Sequence, residues 1–366
     1  MSSPAPAVAS FAPSYRAARR LFMDASAAAG LTLQTFAHPL PGAEGEALAM
    51  DVARAGGFEA TTLLVISSAC HGVEGHCGSG VQHALLSDAT FMAEARAAGV
   101  ALLFVHALNP HGFSHGRRVT HEGVDLNRNF LDFTGSAALP ANPGYDALAL
   151  QLVPPTWPPT PENEAALAAY AQAHGERGLQ QAITGGQYRH PQGLFYGGTA
   201  PTWSAATFAA VLREHATRCS RLGWIDLHTG LGPQGHGEKI WGGRDEAAAL
   251  ARARAWWGAE VTSMYDGSST SARLQGLLTE LAYRHCAQAE ITPMALEYGT
   301  EPTDEVIQCL RSEQWLEMHP QAEAATRTAI KRRFRDAFYT DTPAWKQAIV
   351  EQGLAAARQA VAGLAA

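Results

Sequence analysis

Three short, mainly apolar stretches constrain this chain more than anything else in it, because each runs into small or polar residues at the same end. They are residues 63–66 (LLVI), which lead through two serines toward His71, residues 101–105 (ALLFV), which lead to Asn109-Pro110, and residues 224–227, which lead straight into His228. Apolar runs of this length without polar alternation belong to strands buried on both faces, the mark of a mostly parallel sheet. Half-buried alternation at 31–37 and 47–53 precedes them, divided by the turn-rich Pro41-Gly42-Ala43-Glu44-Gly45, and 240–241 and 293–296 offer two further strands. Helical stretches lie between: 15–30, with Ser14 as N-cap and Gly30 at its end, then 81–87, 205–218 and 244–257. From Thr303 the chain reads as helical, and its last helix, 344–364, has Pro343 at the first turn.

This alternation predicts an α/β fold, a single-domain mixed, mostly parallel β-sheet covered by helices on both faces. Residues 139–161 carry seven prolines, which predicts a loop insertion at about 136–162 within one domain spanning 1–366, with a helical C-terminal part from about 303. Strands and motif residues resume on both sides of it.

Composition excludes several roles. A net charge of −7 lacks the concentrated basic face that nucleic acid requires, and the cluster Lys331, Arg332, Arg333 and Arg335 reads as a solvated helix face. No apolar run approaches the ~20 residues of a membrane span. The five cysteines are odd in number and form no CxxC pair, and the N-terminus lacks a signal peptide's apolar core, so a cytoplasmic location is expected. Nothing in the sequence assigns an oligomeric state.

Sites in such sheets lie beyond the carboxyl ends of strands. His71 and Glu74 sit there in HGVEGHCGSG, His228 in DLHTG, and Glu297 in ALEYGT. Two histidines and a glutamate form a zinc ligand set that leaves a fourth position for water, and a further glutamate can serve as its base. With 15 histidines in the chain, about one HxxE pattern is expected by chance. On composition alone, a pair of hydrogen-bonded loop histidines is the commoner reading.

Residues 109–130 change that balance; they read NPHGFSHGRRVTHEGVDLNRNF. Here the sequence resembles the zinc carboxypeptidase superfamily, whose HxxE, NPDG followed by an arginine, GVDLNRNF, strand-ending histidine and late glutamate occur here in order from His71 to Glu297. GQYRHPQGLFYGG at 186–198, with HGVEG, DLHTGLGPQG and the opening SYRAARRLF, is similar to a bacterial branch of that superfamily carrying a domain of unknown function. The resemblance covers nearly the whole chain and implies a zinc carboxypeptidase-like, phosphorylase/hydrolase-like fold.

It also implies roles. His71, Glu74 and His228 become the zinc ligands and Glu297 the general base. Arg117 becomes the arginine that polarises the scissile carbonyl, with Arg118 as the register alternative. Asn127 and Arg128 match the pair that holds a substrate's terminal carboxylate, and a guanidinium suits that task through two parallel hydrogen bonds. Tyr265, in MYDGSSTS, lies where the superfamily's mobile tyrosine is expected; Tyr188 and Tyr196 are alternatives. Asp125 is expected to orient backbone or Arg128. Asp226 is a partner for His228 if the strand stays regular.

One departure is plain: NPDG is NPHG here, with His111 in place of the aspartate. His106, His111, His115 and His121 fall around the arginine loop, where a second metal is conceivable but has no support in the sequence, and His38 needs no function. The expected activity is that of a zinc-dependent hydrolase cleaving an amide bond next to a free carboxylate, on a peptide substrate. An N-acyl-amino-acid deacylase of the aspartoacylase type is the alternative enzyme, and a non-catalytic protein binding a carboxylate ligand is the alternative outside enzymes. Neither nucleic acid nor membrane is an expected partner.

Overall fold

Each apolar stretch singled out above is a strand in the computed structural model, which describes residues 7–135 and 138–366. In chain order the strands are β1 (Thr32–Pro41), β2 (Ala47–Ala55), β3 (Thr62–Ser68), β4 (Ala101–His106), β5 (Arg221–Thr229), β6 (Gly237–Trp241) and β7 (Glu290–Tyr298). They form a seven-stranded sheet of order β1-β2-β4-β3-β5-β7-β6. The central strands β4, β3, β5 and β7 pair in parallel. Antiparallel β2 and β1 complete one side and antiparallel β6 the other.

Successive side chains of a strand face opposite ways, and β3 shows what that does. Leu64 and Ile66 enter one core with the helices Tyr15–Ala28, Gly75–Ser87, Ala247–Trp257 and Pro343–Ala365. Leu63 and Val65 enter the other, against the helices Trp203–His215 and Glu280–His285. Both faces of the sheet are therefore covered, as the unbroken apolar runs require.

Local signals hold at the ends of elements. The Ser14 hydroxyl accepts the Ala17 N–H at 3.3 Å, and Gly30, at φ +68°, makes the left-handed turn that ends the first helix. Thr342 caps the last helix and Pro343 occupies its first turn.

The proline-rich segment is not simply a loop. Pro143–Leu152 is helical, with Asn142 as its cap and Pro143 in its first turn. Its prolines lie at the edges, leaving a proline-free stretch whose Tyr145, Leu148 and Leu152 are buried. The expected start of the insertion, 136, and residues 1–6 of the expected domain lie outside the described residues. Four further helices, Ala89–Ala97, Pro110–Ser114, Pro161–Thr184 and Glu280–His285, fall outside the predicted set; the third breaks at Gly175. No helix among the described residues is long and apolar enough to cross a membrane.

Candidate metal centre

The parallel strands β3, β5 and β7 deliver the key residues at one end of the sheet. His228 and Glu297 are direct partners in the β5–β7 register. Past β3, His71 opens a short 3-10 turn, Gly72–Glu74, that swings Glu74 back over the strand ends. Gly72 lies so close to the backbone of Gly112 and Phe113 that a Cβ would collide with it. Its N–H donates to the Arg118 carbonyl at 3.0 Å, and the next N–H, of Val73, donates to Arg117 at 2.9 Å. The loop with the HxxE motif and the loop with the arginines are thereby joined backbone to backbone.

The Glu74 carboxylate sits between the two histidines. Its Oε1 is 2.8 Å from His71 Nδ1 and its Oε2 is 3.0 Å from His228 Nδ1, and the Thr229 N–H donates to Oε2 at 3.2 Å. All three side chains are buried, and they offer three ligand atoms within 4.8 Å of one another. Two nitrogens and one carboxylate oxygen suit zinc, and the set is open on the side of the cavity, as a catalytic rather than a structural site requires. Cys70, also near Asp226 and His228, sits in the core away from the cavity, and burial raises its thiol far above the usual range.

Carboxylates hold the outer nitrogens. His228 Nε2 is 2.6 Å from Asp226 Oδ2, while Asp226 Oδ1 accepts the Ser67 hydroxyl at 2.6 Å and that hydroxyl oxygen accepts Trp224 Nε1–H at 2.8 Å. His71 Nε2 is 3.2 Å from Asp125 Oδ1 and 2.8 Å from an Arg118 terminal nitrogen. Those two contacts ask for opposite tautomers. Asp125 needs a proton on Nε2, whereas Arg118 needs a lone pair there. Coordination through Nδ1 favours the first, which would free the Arg118 donor to face the cavity.

Charge organises the same group. Burial alone would raise Glu74, but His71 and His228 outweigh it and hold the carboxyl well below its ordinary range. Burial opposes the charge on His228, yet Asp226 and Glu74 raise it well above normal. Asp125, though buried, is kept low by Arg118 and His71. Glu297 goes the other way: burial, reinforced by Glu74, pushes it up to about 8. Its Oε1 accepts the Leu231 N–H at 3.2 Å.

These residues line a cavity of roughly 980 Å3, open mouth included, together with Arg118, Asn127, Arg128 and an apolar wall that includes Ile240, Met264, Leu274 and Leu277. Arg118 reaches the cavity; Arg117, expected there, does not. Arg117 turns outward, 3.0 Å from Glu313 and 3.5 Å from Glu317. Neighbouring loop residues project to different sides, and the backbone tie to Gly72 and Val73 fixes which one faces inward. Tyr265 is also absent from the cavity lining, its hydroxyl donating to the Gly243 carbonyl at 3.0 Å. Tyr188 donates to the Arg128 carbonyl at 2.7 Å, so its hydroxyl is occupied too.

Asn127 and Arg128 both line the cavity, Asn127 accepting the Leu278 N–H at 2.9 Å. Arg128 spends three donors on the carbonyls of Thr184 and Asn127. Phe195, which motif reasoning missed, lies under both arginines, its ring centre 5.0 Å from the Arg118 guanidinium and 5.5 Å from that of Arg128. Its signal was its place in the GQYRHPQGLFYGG stretch. Asp125 does support backbone, accepting the Asn127 N–H at 3.1 Å. Its charged partner, however, is Arg118 at 2.8 Å rather than Arg128.

The model of a family described as "Protein of unknown function (DUF2817)" matches residues 11–352. No curated protein matches the chain in sequence. Among solved structures, a metallo-carboxypeptidase from Burkholderia cenocepacia is 11% identical, with a TM-score of 0.44 over 94% of this chain and 68% of that one. A metallo-carboxypeptidase from Pseudomonas aeruginosa is 14% identical, with a TM-score of 0.42 over 93% and 69%. An aspartoacylase family protein from Mesorhizobium loti is 14% identical, with a TM-score of 0.32 over 78% and 66%. Likeness this remote leaves the chemistry to be read from the residues themselves.

Proposed function

The chain belongs to the DUF2817 family, and from that premise we propose that it is a zinc-dependent hydrolase cleaving an amide bond next to a free carboxylate, in the manner of a carboxypeptidase. One observation carries the reading: His71 Nδ1 and His228 Nδ1 converge on the Glu74 carboxylate while Glu297 lines the same cavity. Zinc held by His71, Glu74 and His228 would supply Lewis acidity, lowering the pKa of a water toward about 7 and polarising a carbonyl.

The protein's own groups do the rest. Glu297 takes a proton from the attacking water and passes it to the departing amine. Arg118, held at Nε by Asp125, directs a terminal N–H at the oxygen that gains negative charge, a contact worth about 3–4 kcal/mol in comparable sites. Asn127 and Arg128 hold the substrate's carboxylate, and the apolar wall excludes bulk water and accepts an apolar group. Unpaired cysteines suit a reducing, cytoplasmic setting.

Glu297→Gln should retain about one equivalent of zinc and lose about 10²–10⁴-fold in turnover. Loss of the metal would make Glu297 a ligand and refute its role as base. A panel of C-terminal dipeptides and N-acyl amino acids identifies the bond: turnover of the acylated set alone would replace the peptidase reading with the deacylase one. Carboxylate binding without turnover of either set would point to a non-catalytic binding protein.

A further inference from the structure

Four histidines gather at the ends of the arginine loop and none of them lines the cavity. His111 and His115 precede Arg117-Arg118, His121 follows them, and His38 reaches across from β1. Ring centres of His38 and His121 are 4.8 Å apart, and each lies 5.7 Å from that of His111. The candidate zinc histidines, His71 and His228, give 5.1 Å for the same measure. A triangle of imidazoles therefore exists here at the spacing of a ligand pair within the same molecule.

The nitrogens agree with that spacing. His38 Nε2 lies 3.1 Å from His121 Nδ1, and two nitrogens bound at about 2.0–2.1 Å to one tetrahedral ion sit roughly 3.3 Å apart. His38 Nδ1 lies 3.2 Å from the Leu40 carbonyl and 3.1 Å from the Leu40 N–H; in the tautomer that donates to the carbonyl, Nε2 keeps a free lone pair. His111 Nδ1 is buried with no hydrogen-bond partner. Such an atom costs stability unless something else satisfies it.

Aromatic rings flank the cluster. Trp203 lies against His38 at 4.6 Å and His115 stacks on His111 at 4.1 Å. The Glu122 carboxylate lies 3.2 Å from His121 Nδ1. Only the groups His71–Glu74–His228 and Cys70–Asp226–His228 already hold all their ligand atoms within 4.8 Å among the described residues. His111 must therefore turn about its side-chain bonds to close the sphere.

We propose that His38, His111 and His121 form a second site, separate from the catalytic centre, for a divalent transition-metal ion of the kind imidazole prefers: zinc, nickel or copper. Its position gives it a task. An ion there ties both ends of the loop carrying Arg118 to β1.

The test uses the full chain stripped of metal, titrated with zinc chloride and counted by calorimetry and elemental analysis. Wild type is expected to take two equivalents. His121→Asn and His38→Asn should each take one, the second binding event weakening by more than about 100-fold. His71→Asn should lose the other equivalent and keep this one, so failure at either centre is read separately. A wild type that binds zinc only at the His71 centre, or folded His121→Asn and His38→Asn variants that both keep two equivalents, would overturn the proposal.

Discussion

Replacing Asp226 by asparagine changes one charge and almost no volume, at a position behind a candidate metal ligand. Asp226 accepts on both oxygens, from His228 Nε2 at 2.6 Å and from the Ser67 hydroxyl at 2.6 Å, and Ser67 in turn accepts from Trp224. An amide cannot serve both. With its oxygen toward His228, its NH2 faces a hydroxyl that already accepts a proton, and the Ser67 O–H loses its acceptor. Turned the other way, NH2 meets the His228 N–H. Either orientation leaves a buried donor unpaired, at about 1–3 kcal/mol of stability. Loss of the carboxylate behind a metal-binding histidine also weakens metal affinity by about 10–100-fold, or roughly 1.4–2.7 kcal/mol. Zinc competition against a chelator of known affinity measures the second effect, and thermal denaturation of the metal-free protein the first. Ser67→Ala leaves the carboxylate in place and should affect stability more than zinc. Zinc affinity within about threefold of wild type in a folded Asp226→Asn protein would refute the reasoning, since the expected loss lies well above that.

Two further outcomes follow from the site. Arg118→Lys should cost turnover about 10²–10³-fold, as loss of an oxyanion donor does, whereas Arg117→Lys should leave turnover intact and shift stability by at most about 1 kcal/mol; the reverse pattern in steady-state kinetics would restore Arg117 to the cavity. In the metal-free protein, Glu297 stays protonated to about pH 8, while in the unfolded chain it ionises near about pH 4.3. Its contribution is complete below the lower value and is lost as the pH rises through the upper one. The wild-type melting temperature should therefore fall relative to Glu297→Gln between about pH 5 and 8, and parallel curves across that range would remove the shifted carboxyl from consideration.

Much of this was legible in one dimension because burial on both faces of a strand leaves an unbroken apolar run. Residues 63–66 announced β3 in that way and 224–227, interrupted by Asp226 alone, announced β5, and each run pointed at the histidine beyond its end. The strands extend further, Thr62–Ser68 and Arg221–Thr229, because polar ends can pair in a ladder without being apolar. Asp226 was within reach too, since a two-residue step on β5 returns a side chain to the face of His228. Arg117 against Arg118 was not, because a loop has no period to say which neighbour turns inward. The pairing of Asp125 with His71 joins residues 54 apart, and that of His38 with His121 spans 83. Both depend on how the loops close over the sheet. Tyr265 sits in a loop as well, and its hydroxyl found a backbone carbonyl.

The contact at Gly72 has a consequence for anyone who would redesign this protein. Its missing side chain lets the histidine–glutamate turn rest on the backbone of Gly112 and Phe113, while Gly72 and Val73 grip the carbonyls of Arg118 and Arg117. The group proposed to bind the ion and the group proposed to steady the reacting oxygen are thus cast as one part. Retuning either by lengthening its loop would drag the other out of alignment, so useful variation is confined to the walls: the apolar lining, Phe195, and the chain from 264 to 278.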